Sequence, residues 1–186
     1  MELAAPIASV FAAVGLSAAA GLNAYLPLLI GAVLERLDVV DLGDPFGGLS
    51  SNAGIAVLAV LLVADLVGDK IPGVDHLLHL AGVVIHPVAG AMLFVGQTGV
   101  DTGIPVAVAA ILGAATAETL HGARAAIRPA STASTAGIGN PVLSLGEDVG
   151  SLVLTVLAFA LPLVALLLTL ALLAGVVTVA GRLRRR

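Results

Sequence analysis

The sequence predicts an all-α fold, a polytopic membrane helix bundle of about six to seven transmembrane segments with broken or re-entrant helices. Residues 1–186 form a single integral membrane domain. Three observations lead there. Hydrophobic residues make up 59% of the 186-residue chain and charged residues 11%, with a mean hydropathy of +1.14. A soluble domain carries about 25% charge, so the polar surface available here is too small to coat a globule in water. Two stretches, residues 3–34 and 149–181, carry no charge at all. Each would make a helix of roughly 48 Å against a hydrocarbon core of about 30 Å, so neither fits as one straight span.

The breaks are visible in the same runs. Gly21, Asn23 and Pro27 in GLNAYLP divide the first into segments near 4–20 and 23–37, and Pro162 divides the second into segments near 141–160 and 162–182. The loop after the second segment holds Asp38, Asp41 and Asp44 with no cation. It ends in Ser50, Ser51 and Asn52, good N-caps for a helix over about 53–70. IPGVD then turns the chain, and Asp75 suits the cap of a helix that Pro87 kinks or breaks near mid-membrane. Residues 96–103 read as a turn and Pro105 as a first helical position, with that helix running to about 128. The small polar run 131–140 reads as a loop.

Placing the C-terminal run Arg182-Leu-Arg-Arg-Arg186 in the cytoplasm and alternating backwards puts Lys70, Arg124 and Arg128 on the cytoplasmic side, with only Arg36 outside. That agrees with the positive-inside rule. If residues 4–20 span, there are seven segments and an external N-terminus; if they form a re-entrant half-helix, there are six. Met1-Glu2-Leu3 lacks the positive n-region of a signal peptide, so the first segment is expected to stay in the mature protein.

The absence of cysteine excludes disulfides, thiolate metal sites and cysteine nucleophiles. No basic patch occurs outside the tail, so nothing points to nucleic acid. The scarce ionisable groups instead gather in the membrane-embedded sequence. Asp65 and Asp69 stack at i, i+4, with Lys70 beside them. Asp75, His79 and His86 share a face, because eleven residues make almost three whole turns. Glu118, His121 and Arg128 fit one face with Arg124 next to it, and Glu147 and Asp148 lie about two turns into their helix. A charged residue at a helix centre opposes insertion by roughly 2.5–3.5 kcal/mol, so such groups are expected to face the bundle interior, pair, or line a wet cavity. Asn23 and Asn140, each beside Gly and Pro, mark helix breaks whose freed backbone groups can bind ions.

Two chemistries suit this set. Carboxylates and imidazoles in an intramembrane pocket make a proton relay or a cation pathway: Asp65, Glu118, Glu147 and Asp148 would bind the cation, while His79, His86 and His121 relay protons. This reading is a small transporter or channel for a cation or a proton-coupled small solute. Alternatively, Glu118-x-x-His121 has the spacing of metal-binding helical bundles, and Asp75 and His79 would add ligands. That reading is an enzyme dependent on a divalent metal ion, with Asp75, His79, His86 and His121 as metal ligands. A third reading is a scaffold whose charges only fix topology. No His-Glu-x-x-His, Gly-x-Ser-x-Gly or phosphate-loop motif is present, so the balance lies against an enzyme. The many Gly and Ala residues permit close helix contact, and a homodimer would help bury polar faces.

GLNAYLPLLI (21–30), DKIPGVDHLLHLAGVVIHPVAGA (69–91) and HGARAAIRPASTASTAGIGNPVLSLGED (121–148) together resemble the bacterial membrane family known as domain of unknown function 4126. The resemblance implies a small multi-pass protein of the bacterial inner membrane and supplies no activity. It singles out Asn23, Asp69, Lys70, Asp75, Arg124, Glu147 and Asp148 as matches to the family's polar motif positions.

Overall fold

A computed structural model describes residues 4–44, 46–68, 71, 74–99, 102–135 and 138–184. Asp69 and Lys70 lie outside the described residues, as do the side chains of Asp75, His76 and His79. Eight helices follow one another among the described residues: α1 (Ala4–Leu22), α2 (Tyr25–Arg36), the single turn α3 (Phe46–Leu49), α4 (Asn52–Gly68), α5 (Val74–Thr98), α6 (Val106–Thr135), α7 (Asn140–Ala160) and α8 (Pro162–Arg184).

α1 is the axis. Near its C-terminal end it carries a run of small residues, Ala18, Ala19, Ala20 and Gly21, all buried, and it packs against α5, α6, α7 and α8. Small side chains let neighbouring backbones approach, which is how helices gain packing energy where lipid removes the hydrophobic drive between them. Ser17 Oγ donates to the Gly90 carbonyl of α5 at 2.9 Å, and Ser151 Oγ of α7 donates to the Ala19 carbonyl at 3.0 Å. Along α1, Ser17 meets Gly90 while Ala20 meets His86, so α5 runs antiparallel to it. Gly15 faces Ala158 while Asn23 meets Asp148, so α7 does too. α6 runs antiparallel to α5, with Gly113 opposite Gly90 and His121 opposite His86. Successive long helices therefore alternate in direction, as repeated crossings require.

The core is mostly apolar, but it also holds polar side chains, and the surface is unlike that of a water-soluble protein. Buried inside are Ser17, Asn23, Ser144, Ser151 and Thr155, while Val60, Leu77, Ile111, Val156 and Leu167 stand exposed. An apolar exterior of this extent requires a non-aqueous surrounding. Four helices, α1, α5 over Leu80–Thr98, α6 and α7, are long and apolar enough to cross a membrane, and Asn52–Gly68 and Pro162–Thr178 are shorter apolar helices. α2, with 12 residues, rises only roughly 18 Å and falls short of a bilayer core of about 30 Å. Of the two segments cut from the first uncharged run, the half-length one is thus α2, whereas residues 4–22 make a helix of spanning length.

The helix expected to kink or break at Pro87 is not broken there: α5 runs through it. Proline removes one N–H and crowds the preceding turn, and Ala89, Gly90 and Leu93 just beyond it are packed into the core. One expectation differs outright. α6 continues through residues 131–135, which the composition assigned to a loop. The hydroxyl of Thr135 donates to the Ser131 carbonyl at 2.8 Å, so it is satisfied inside the helix and does not compete with it. Ser51 does cap α4 as expected, accepting from the Gly54 N–H at 3.0 Å.

The α5–α6 crossing depends on glycine. A Cβ added to Gly90 would lie 2.5 Å from the Gly113 carbonyl oxygen and 2.6 Å from the Ala117 methyl, and the converse addition at Gly113 also meets backbone. Gly90→Val should therefore force the helices apart and destabilise the protein by about 1–3 kcal/mol, seen as a lower midpoint of thermal unfolding by circular dichroism in detergent. An unchanged midpoint would refute this crossing.

Candidate functional site

The break between α1 and α2 sits at Asn23, whose side chain is 1% exposed. Its Oδ1 accepts from the backbone N–H groups of Tyr25 and Leu26 at 3.1 and 3.0 Å, capping the first turn of α2. Its Nδ2 donates to Asp148 Oδ1 on α7 at 2.9 Å and to Asp65 Oδ2 on α4 at 3.1 Å. One amide thus ends one helix, starts another and draws together two carboxylates from two further helices. Ser151, one turn beyond Asp148, donates to the carbonyls of Ala19 and, at 3.4 Å, of Asn23 itself. Ser151 thereby supplies a donor from α7 to carbonyls at the end of α1, where a helix break leaves acceptors without intrahelical partners.

Glu147, the neighbour of Asp148, points to another partner. Its Oε2 receives Arg124 Nη2 at 2.7 Å and Arg128 Nη2 at 3.1 Å, with side-chain exposures of 12% and 11% for the arginines and 15% for Glu147. Adjacent positions on a helix project about 100° apart, so α7 sends one carboxylate to the Asn23 junction and the other to α6. Between α5 and α6, the rings of His86 and His121 stack with centroids 4.2 Å apart and planes inclined by 26°. His86 Nδ1 lies 2.5 Å from the Ala20 carbonyl oxygen. A carbonyl only accepts, so Nδ1 carries the proton in this contact.

The structure joins Asn23, Asp65 and Asp148 directly, and ties His86 to the last turn of α1, next to that junction. Arg124 and Glu147 form the adjoining ion pair. Glu118, on the same helix as His121, has its Oε2 shut away from solvent with no hydrogen-bond partner among the described residues. Asn140 stands apart: its Nδ2 donates to Thr132 Oγ1 at 3.0 Å, closing the turn from α6 to α7. Among the described residues no three His, Asp or Glu side chains form a group able to hold a metal ion. Of the suggested metal ligands, His86 and His121 stack on each other, while the side chains of Asp75 and His79 lie outside the described residues, together with Asp69 and Lys70.

Three contributors were not anticipated from sequence as parts of the centre: Ser151, Ser17, and Arg128 as a second cation on Glu147. A signal for Ser151 existed. Ser144, Asp148, Ser151 and Thr155 recur at the spacing of one helix face, and that stripe is the polar side of α7 that turns inward.

A bundle with an apolar exterior, a helix break at a buried asparagine and two part-buried carboxylates on that asparagine defines a multi-pass helical membrane protein with an internal polar centre. The sequence profile described as "Domain of unknown function (DUF4126)" matches residues 10–182, and the chain belongs to that family. No curated protein and no solved structure matches it.

Proposed function

We propose that this protein is a small transporter or channel that moves a cation, or a small solute coupled to protons, through the interhelical centre at Asn23. The observation that carries this reading is the sharing of one buried amide between Asp65 and Asp148. Two carboxylates drawn to one point inside an apolar bundle favour any species that brings positive charge between them, a proton included. The interrupted helix supports the same reading, because such breaks place backbone dipoles at the sites where transporters hold their ions. In this scheme Asp65 and Asp148 bind the moving charge. Glu118 gives a further carboxylate beside the path, His86 and His121 pass protons, and Arg124 with Arg128 fixes Glu147. The protein would sit in the bacterial inner membrane with its C-terminus in the cytoplasm, as a homodimer.

Flux measurements on the full chain in proteoliposomes test this, using an imposed pH gradient or cation gradient and an internal fluorescent reporter. Asp148→Asn preserves shape and the ability to meet an amide but cannot carry a charge or exchange a proton. It should lower flux at least about tenfold, a loss typical of removing a positioned proton-transfer group. Wild-type flux in Asp148→Asn, with the fold intact by circular dichroism, would overturn the proposal.

A further inference from the structure

Glu118 lies deep within α6, roughly 18 Å from the Val106 end and 26 Å from the Thr135 end. Unlike lysine or arginine, glutamate has too short a stem to lift its head from there to the membrane surface. Around the helix, Ala117, Leu120 and His121 turn inward, whereas Ala115, Thr119 and Gly122 stand exposed. Glu118 sits on the border between these two faces and is half-buried. A Cβ added to Gly122, one turn further on, would meet nothing within 4 Å, so the flank beside Glu118 opens outward.

The carboxyl has no match in its surroundings. Its Oε2 is shut away from solvent and meets no hydrogen-bond donor among the described residues. The helices packed against α6 are α1, α5, α7 and α8. α1 has no titratable side chain over residues 4–22, and α8 has none over 162–181. α7 turns Glu147 to Arg124 and Arg128, and Asp148 to Asn23. α5 presents His86, which stacks on His121 of α6 and meets the Ala20 carbonyl. The side chains of Asp75, His76 and His79 lie outside the described residues. An ionised carboxylate without a cation is strongly disfavoured in apolar surroundings, and such a group takes up a proton instead.

We propose that Glu118 is a proton-binding site on the lipid-facing flank of the bundle, occupied at neutral pH as an uncharged carboxylic acid. The site goes beyond the transport reading and does not depend on it: Glu118 holds its proton whether or not a charge moves through the Asn23 centre. It stands on the same helix as His121 and one turn before it, so the proton waits beside the stacked pair that leads to the last turn of α1.

Infrared difference spectra of the full chain in liposomes, wild type minus Glu118→Gln at neutral pH, read the protonation state directly. The expected difference is loss of the carbonyl band of a protonated carboxyl, with the carboxylate bands unchanged. Loss of carboxylate absorption instead would overturn the proposal. Access from the lipid is read with dicyclohexylcarbodiimide, which partitions into the bilayer and reacts with protonated carboxyls. A Glu118 oxygen bonds to the central carbon of the reagent as the acid proton passes to a reagent nitrogen. The acyl group then shifts from oxygen to nitrogen, and a stable N-acylurea remains with nothing lost. Peptide mass mapping should find the reagent on Glu118, and Glu118→Gln should abolish that label. A folded wild type left unlabelled at Glu118 would overturn the proposal. So would labelling there by a membrane-impermeant carbodiimide alone, which would place the carboxyl at an aqueous surface. Neither readout involves flux, so failure here is distinct from failure of the transport reading.

Discussion

Replacing Asn23 by Ala should destabilise the detergent-solubilised protein by about 3–5 kcal/mol. The reasoning is local. The Asn23 side chain makes four hydrogen bonds from a position that is 1% exposed. Two of them go to carboxylates that are only part-buried, which sets them at the low end of the roughly 1.5–3 kcal/mol that a hydrogen bond to a charged group contributes. The other two cap α2, a contribution of about 1 kcal/mol. Alanine supplies none of these. Asn23→Asp separates the two roles: it keeps the capping acceptor but places a third carboxylate against Asp65 and Asp148. It should therefore be at least as damaging near neutral pH. Equilibrium unfolding in mixed detergent micelles, followed by circular dichroism, measures both. A loss below about 1 kcal/mol for Asn23→Ala would mean that the junction is not held by this amide.

Removing the Glu147 carboxylate should cost nearly as much. Glu147→Ala takes away the acceptor that Arg124 and Arg128 share, at 12% and 11% side-chain exposure. Breaking a largely buried ion pair on one side costs about 3–5 kcal/mol, because the remaining charge is left uncompensated. A double-mutant cycle distinguishes this from simple loss of packing. Arg124→Gln in the Glu147→Ala background should be nearly neutral or stabilising, while the same change in the wild type should destabilise. The coupling between the two positions should reach about 1–3 kcal/mol. Strictly additive effects would show that the ion pair contributes little to the fold.

The element pattern was legible in the sequence to within a few residues. The segments expected near 4–20, 23–37, 141–160 and 162–182 correspond to α1, α2, α7 and α8. Uncharged runs longer than a bilayer must be interrupted somewhere, and Asn23 and Pro162 are where the chain changes direction or begins again. The stretch 131–135 was misread, and no break occurs at Pro87. Both carry strong local signals against helix, and in both the helix continues. Local propensity is a weak prior against packing on two sides of a residue, or against a hydroxyl that finds its own carbonyl one turn back.

The candidate centre was legible in its membership and not in its pairing. Asn23, Asp65 and Asp148 each stood out as polar residues in apolar sequence, but nothing in their order revealed that one amide would bind both acids. Asn23 is separated from Asp65 by 42 positions and from Asp148 by 125. Nor did the order reveal that Glu147 and Asp148, adjacent in sequence, would serve different clusters.

By itself, the sequence determined the environment and the secondary structure: the scarcity of charge demands lipid around the chain, and helices follow because lipid leaves the backbone no other partner for its hydrogen bonds. Only the tertiary structure decided which polar groups meet. That choice depends on helix rotation and on how closely the small residues of α1 let α5, α6 and α7 gather beside Asn23, and contacts between such distant positions leave no periodic trace along the chain.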